Sequence, residues 1–258
     1  MITSTRNQKI KEIRQLQAQS KARREANAFV VEGVRLCEEG VAAGWKTQFC
    51  LYSPDLNARG QALVKELIRQ GTPTEEAAEH VIKAASDTQS PQGIILVLAM
   101  NPLPMPTNPN FILVLDRVQD PGNQGTLLRT AAAAGVDAVL ISEGSADVFA
   151  PKVIRAGMGA HFRLPAATWS VDQILSFCSQ HHVTLWASLL DEGIPYTQAE
   201  LDIPAAIIIG SEAHGISAGL RRGATPLHIP MPGGGESLNA AAAGAILLYE
   251  AVRQRSNS

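Results

Sequence analysis

Hydrophobic positions along this chain fall into short runs separated by segments of helical length, and the runs change character part-way. In the first part, strand-like runs at 28–32, 47–52 and 93–99 alternate with amphipathic segments at 33–43, 56–70 and near 75–85, which predicts a small α/β unit. Ahead of them Ile10, Ile13 and Leu16 recur at helical spacing on one face of a polar stretch and predict an N-terminal helix. Further on, Phe-Ile-Leu-Val-Leu at 111–115, Val-Asp-Ala-Val-Leu-Ile at 136–141, Val-Thr-Leu-Trp-Ala-Ser-Leu at 183–189 and Ala-Ala-Ile-Ile-Ile at 205–209 are nearly continuous apolar runs. Runs of that kind, spaced by helix-sized segments, predict a mostly parallel sheet covered on both faces. A shorter run, Leu227–Ile229, leads into Pro-Met-Pro-Gly-Gly-Gly-Glu-Ser-Leu-Asn and then an alanine-rich helix.

Between the two patterns, residues 99–110 hold four prolines in twelve positions. Proline fixes φ and removes a backbone donor, so this stretch predicts an extended connector. The expected organisation is therefore a domain over 1–98, a linker over 99–110 and a second domain over 111–258. With 45% hydrophobic residues the chain has enough apolar material for real cores. No apolar run approaches the ~20 residues of a membrane span, and the N-terminus is polar where a signal peptide carries an apolar stretch, so a soluble cytoplasmic protein is expected. Cys37, Cys50 and Cys178 are widely spaced and read as buried apolar residues, not disulfide or zinc ligands. His161, His181 and His182 lack carboxylate or thiol neighbours at ligand spacing, and no metal is expected.

Charge changes this picture through its distribution. The net charge is −2, but residues 1–98 carry 13 Lys and Arg against 11 Asp and Glu, whereas the remainder carries 9 against 13. Arg6, Lys9, Lys11, Arg14, Lys21, Arg23 and Arg24 are opposed before residue 25 by Glu12 alone. A basic helix of this kind is either an ordinary solvated face or an arm that contacts phosphates. Lys152, Arg155 and Arg163 offer the same two readings, as surface charge or as an RNA-facing rim.

Ligands of open parallel sheets bind beyond the carboxyl ends of the strands, which directs attention to the residues just after each run. After 111–115 come Asn123 and, six residues on, Arg129; after 205–209 come Gly210 and Glu212; after the short run comes the glycine loop with Ser237 and Asn239. Gly233, Gly234 and Gly235 let the backbone turn and approach a ligand, and Ser237 or Asn239 can cap the next helix. No G-x-G-x-x-G, G-x-x-x-x-G-K-[ST] or G-x-S-x-G occurs at these ends, which disfavours dinucleotide, P-loop and hydrolase chemistry. Taken singly, Arg129 reads as a surface or salt-bridge residue, and Glu212 and Asn239 as helix-capping groups.

Together, Asn123-Gln-Gly-Thr-Leu-Leu-Arg129-Thr-Ala, Ile209-Gly-Ser-Glu212-Ala-His-Gly215 and Ile229-Pro-Met-Pro-Gly-Gly-Gly-Glu-Ser237-Leu-Asn239 resemble, in order and spacing, the three signatures of the SpoU (TrmH-type) branch of the SPOUT methyltransferases. Arg6-Asn-Gln-Lys-Ile-Lys11, Phe29-Val-Val-Glu-Gly33 and Ser90-Pro-Gln-Gly93 are similar to the accessory RNA-binding domain, of a ribosomal-protein-like fold, that often precedes that catalytic domain. The resemblance implies a homodimeric enzyme that moves the methyl of S-adenosylmethionine to a ribose 2′-hydroxyl of RNA, with a trefoil knot in its C-terminal part. It implies cofactor contacts at Leu189, Leu190, Gly210, Ile229, Met231 and Leu238, and catalytic roles for Asn123, Arg129, Glu212, Ser237 and Asn239. RNA contacts fall on Arg6, Lys9, Lys11, Arg14, Arg23 and Arg24.

A guanidinium stays protonated, so Arg129 is expected to hold a phosphate beside the reacting hydroxyl, with Asn123 and Glu212 fixing its orientation. The small-residue face at 239–245 is expected at the dimer interface. Ala240 and Ala241 stand where the family often has Val and Ser, removing a hydroxyl near the site. The two-domain layout favours ribosomal over transfer RNA. The competing readings are a transfer RNA 2′-O-methyltransferase, a non-catalytic RNA-binding protein that keeps the knot, and a small-molecule enzyme with no use for the basic helix.

Overall fold

The structure, a computed structural model, describes residues 1–234 and 237–257 and divides into two compact units. The first takes Met1–Asn101 together with Phe149–Arg155, and the second takes Pro102–Val148 and the chain from Ala156 onward. Phe149–Arg155, expected in the second domain, thus groups with the first. The physical reason is that the Phe149 ring lies 4.8 Å from that of Phe29, and Arg155 pairs with Asp87 at 2.7 Å, so Arg155 is already engaged by a carboxylate. Residues 100–110 form neither helix nor strand.

The first unit runs α1 (Gln8–Ala18), α2 (Ser20–Ala26), β1 (Ala28–Glu32), α3 (Val34–Ala42), β2 (Thr47–Tyr52), α4 (Ala58–Arg69), β3 (Thr74–Glu76), α5 (Glu79–Ala85) and β4 (Ile94–Ala99). Its four strands are ordered β1-β4-β2-β3, with β3 parallel to β2 and the other pairs antiparallel. The segment near 75–85, read as one helix, is instead β3 followed by α5, because Thr74, Glu75 and Glu76 pair along β2 before the helix can start. Ile10, Ile13 and Leu16 bury the apolar face of α1 against Val30, Phe49 and Val97. Gly33 stands at φ 95° ahead of α3, where the Gln92 side chain accepts from the Val34 amide at 3.0 Å. That bond explains why Phe29–Gly33 and Ser90–Gly93 belong to one arrangement.

The second unit holds β5 (Phe111–Asp116), α6 (Pro121–Ala133), β6 (Ala138–Ser142), the end of α7 (Pro151–Gly157), β7 (Ala166–Trp169), α8 (Val171–Gln180), β8 (Thr184–Leu189), β9 (Ile194–Pro195), β10 (Ala205–Gly210), α9 (Ala218–Arg222), β11 (Thr225–His228) and α10 (Ala240–Arg255). Seven parallel strands are ordered β7-β6-β5-β10-β8-β11-β9. All six residues of β5 are buried, as a strand covered on both faces must be. The expected runs became strands; β7 and β9, four and two residues long, had no apolar run to announce them.

Register positions the site. Gly210 pairs with Asp116 and Leu189 with His228, so the chain leaves β5 and β10 side by side, and β8 and β11 side by side. Asp120 caps α6 by accepting from the Asn123 amide at 2.7 Å, with Pro121 at the first helical position. Asn239 caps α10 through the amides of Ala241 and Ala242. Within the chain, the small-residue stretch of α10 packs closely at Gly244, where a Cβ would lie 2.2 Å from Leu127 Cδ2 of α6 and 3.6 Å from Ile209 Cγ1. None of the described helices is long and apolar enough to cross a membrane.

Candidate active site

Asp116, at the end of β5, is fully buried and ties the strand-end loops together. It accepts from Ser142 Oγ at 2.7 Å and from the Ser217 amide, while Ser142 Oγ also accepts from the Arg117 amide at 2.9 Å. These bonds hold Arg117 at φ 54°, a conformation side chains rarely adopt. The loop after β10 is equally constrained. Ser211 and Gly215 exchange backbone hydrogen bonds, and a Cβ on Gly210 would come 2.5 Å from the Gly215 carbonyl carbon. Glycine at 210 is therefore a steric requirement.

Two side chains and a backbone amide meet at Glu212. Asn123 Nδ2 donates to Glu212 Oε1 at 2.7 Å, Asn239 Nδ2 donates to the same oxygen at 3.0 Å, and the Ala240 amide donates to it at 3.2 Å. Asn239 Nδ2 also donates to Asn123 Oδ1 at 3.0 Å, closing a ring of three residues. Glu212 is thus both things its sequence context allowed: a carboxylate at a helix start, where the N-terminal dipole of α10 favours negative charge, and a member of a polar cluster. Its second oxygen has no partner among the described residues.

Beside this cluster lies a cleft of about 540 Å³. Leu189, Leu190, Gly210, Ile229, Met231 and Leu238, the six positions expected to hold a cofactor, all line it. Glu212 and Ser237 line it as well, along with Asp191, Glu192 and Arg221, which the sequence patterns did not single out. Of the glycine loop, Gly234 stands at φ 69°, and neither Gly233 nor Gly234 has a described heavy atom within 4 Å of its Cβ position. Gly235 and Glu236 lie outside the described residues.

Arg129 stands apart from the ring. Six residues beyond Asn123 on α6, it is about 240° further around the helix and about 9 Å along its axis. It is exposed and has no hydrogen bond or ion pair among the described residues. The expectation that Asn123 and Glu212 orient Arg129 is therefore corrected: they orient each other and Asn239. Burial pushes the His161 imidazole down to about 4, so this residue is a neutral interior side chain. Gln124, next to Asn123, is fully buried, and neither of its side-chain polar atoms has a hydrogen-bond partner among the described residues.

The six basic positions of the first unit divide. Arg6, Lys11 and Arg24 are exposed and have no ion-pair partner among the described residues. Arg14 is exposed, with Nε donating to the Ala84 carbonyl at 2.8 Å. Lys9 pairs with Glu75 at 2.6 Å and sits 5.0 Å above the Phe49 ring. Arg23 is corrected: it is only 4% exposed, and its guanidinium donates to the carbonyls of Leu16 and Gln17, clasping the end of α1 instead of facing solvent. Charge alone in the sequence does not separate Arg23 from Arg24.

Residues 110–249 match the SpoU rRNA Methylase family, and residues 7–96 match the MRM3-like substrate binding domain. The chain is 32% identical to a 23S rRNA guanosine 2′-O-methyltransferase, RlmP, of Bacillus subtilis, over 96% of its length and 97% of that protein's. It is 30% identical to a 23S rRNA uridine 2′-O-methyltransferase of Streptomyces viridochromogenes, over 98% and 92% of the two chains. Among solved structures, the SpoU methyltransferase AviRb of Streptomyces viridochromogenes, determined with AdoMet, superposes with a TM-score of 0.89 at 27% identity, covering 98% of this chain and 100% of that one. An rRNA methyltransferase of Sinorhizobium meliloti gives 0.88 at 30% identity, covering 98% and 96%. With its catalytic-domain motifs, parallel sheet and matched N-terminal domain, this chain belongs to the SpoU rRNA methylase family.

Proposed function

We propose that the protein methylates a ribose 2′-hydroxyl of ribosomal RNA with S-adenosylmethionine as donor. The observation that carries the proposal is the ring of Asn123, Glu212 and Asn239 at the edge of a cleft lined by all six expected cofactor positions. The cleft suits such a ligand: its volume is that of a small-molecule site, and its walls combine apolar side chains with the backbone of Gly210 and Gly215. When bound, the cofactor supplies an electrophilic methyl on a sulfonium. Ribosomal RNA is favoured over transfer RNA because the full-length Bacillus and Streptomyces relatives act on 23S rRNA.

The residues divide the remaining work. Glu212, held through one oxygen by Asn123, Asn239 and the Ala240 amide, has its other oxygen to accept a hydrogen bond from the ribose hydroxyl. Fixing that hydroxyl in line with the methyl supplies much of the barrier reduction. Arg129 cannot serve as a base, because its guanidinium remains protonated; it grips the neighbouring phosphate and favours negative charge developing on the ribose oxygen. Ser237 and Asn239 meet the target nucleotide. Arg6, Lys11, Arg14 and Arg24 capture the RNA backbone.

The protein works as a homodimer in the cytoplasm. Ile246 and Tyr249, 37% and 52% exposed, are the large hydrophobic side chains that α10 leaves exposed, on the helix that packs against α6, which bears Arg129. Tyr249→Glu is expected to give a monomer by light scattering. The trefoil knot implied for 210–239 belongs to the same reading; β10 lying between β5 and β8 is compatible with it. The test is methyl transfer from labelled S-adenosylmethionine to ribosomal and transfer RNA, with 2′-O-methyl mapping of the product. Label in ribosomal RNA at a single ribose is expected, and label on bases alone would overturn the assignment.

A further inference from the structure

The cleft carries a charge pattern that methyl transfer itself does not require. Among its described lining residues, Arg221 alone bears a permanent positive charge, whereas Asp191, Glu192 and Glu212 bear carboxylates. Glu212 is committed to the ring with Asn123 and Asn239. Arg221, in the last turn of α9, pairs instead with Glu192 from the β8–β9 loop. Both side chains are substantially exposed, 48% and 60%, and an ion pair that wet contributes little to folding.

Its position is nevertheless fixed. Gly193, next to Glu192, stands at φ 85° with its backbone so close to β11 that a Cβ would lie 2.0 Å from the Pro226 carbonyl oxygen. The loop bearing Asp191 and Glu192 is thereby seated against the sheet beside α9, holding an ion pair on the wall of the cleft. Leu190 and Leu238, which also line the cleft, expose 52% and 39% of their surface and offer apolar cover to a ligand.

We propose that Arg221 recognises the α-carboxylate of the cofactor's amino-acid end, giving up Glu192 for it on binding; this rests on the assignment of the cleft to S-adenosylmethionine. The ligand's amino-acid end is a zwitterion, with one permanent anion and one cation. The anion's complement in the lining is Arg221, whose planar fork matches a carboxylate with two parallel hydrogen bonds. The ammonium group takes the place of the guanidinium beside Glu192 and Asp191. One internal ion pair is exchanged for two with the ligand, so neither Arg221 nor Glu192 is left without a partner. Arg221 is in this sense a specificity residue: it distinguishes the complete cofactor from adenosine fragments that fill only the apolar part of the cleft.

Calorimetric titration of the full-length protein with S-adenosylhomocysteine and with 5′-methylthioadenosine, which lacks both charged groups, tests the proposal without reference to turnover. Arg221→Met is expected to weaken S-adenosylhomocysteine roughly tenfold or more, with Arg221→Lys intermediate because it keeps the charge and loses the fork. Methylthioadenosine is expected to bind both variants as it binds the parent protein, which also verifies that the cleft has folded. Equal weakening of both ligands makes Arg221 a mere support of the cleft wall and overturns the proposal, as does unchanged affinity for S-adenosylhomocysteine. Failure of the parent protein to bind either compound sinks the cofactor assignment itself, and this proposal with it.

Discussion

In and just ahead of α1 and α2 the first unit carries several separate exposed cations, Arg6, Lys11, Arg14 and Arg24, that share no common partner. At the strand ends of the second unit the reverse holds: Asn123, Asn239 and the Ala240 amide all converge on one oxygen of Glu212. Dispersed cations bind a polyanion additively, so each lost charge weakens binding by a similar fraction. A hub fails as a whole, because its members orient one another. The effects of substitution should therefore differ in size and in kind between the two regions.

The largest effect is expected at the hub. Glu212→Ala removes the acceptor shared by three donors and, in the proposed mechanism, the oxygen that holds the ribose hydroxyl. Loss of turnover by about 100-fold or more is expected in single-turnover methyl transfer, in line with removal of an electrostatic positioning group. RNA affinity in filter binding should stay nearly unchanged. A Glu212→Ala protein that turns over normally would reduce the ring to a helix cap and break the contrast between the regions.

Arg129→Lys comes next. It keeps the charge and discards the planar fork, so a drop in turnover of about tenfold is expected if the residue grips a phosphate through two hydrogen bonds. Near-normal turnover would rule out the bidentate role and leave Arg129 a general surface charge.

Smaller again, and spread over several residues, is the effect in the first unit. Replacing Arg6, Lys11 and Arg24 together by alanine should weaken RNA binding about tenfold at moderate salt and reduce the slope of log affinity against log salt by roughly two to three. Each single replacement should give about a third of that reduction in slope. A single substitution that abolished binding would turn the dispersed cations into a second hub.

How much of this was legible differs between the regions for a physical reason. Strands β5, β6, β8 and β10 are continuous apolar runs because parallel sheets are buried on both faces, and that signature survives in a linear sequence. The ring residues were legible only as members of three motifs, since nothing in the spacing of Asn123, Glu212 and Asn239 says that they touch. Arg129 entered with the same motifs, and its distance from the ring is a matter of helical geometry: six residues is not a return to the same face. Asp116 was not singled out in the sequence; it is a buried anchor for the Ser142 hydroxyl and the Ser217 amide, a role that depends on chain segments brought together by folding. The Glu192 and Arg221 pair was invisible for the same reason. In the first unit the basic helix was plain, but which charges face water was not.

That last ambiguity gives the sharpest, and smallest, comparison. Arg23 and Arg24 are adjacent on α2, one buried with its guanidinium on the Leu16 and Gln17 carbonyls and the other exposed in the last helical turn. Arg23→Met keeps the apolar stem and removes the donors, leaving two carbonyls at the end of α1 without them. A loss of stability of about 1–3 kcal/mol is expected, seen as a lower denaturant midpoint with unchanged slope. Arg24→Ala should leave the midpoint nearly unchanged and lower the salt slope of RNA binding by about one. Below its unfolding midpoint, Arg23→Met should bind RNA with the parent's salt slope, because a guanidinium already spent on carbonyls in the interior releases no counterions from a phosphate chain. A reduction in that slope equal to Arg24→Ala would mean that α1 and α2 separate on the RNA and expose Arg23, making this corner of the first unit a moving part of the binding surface instead of its fixed support.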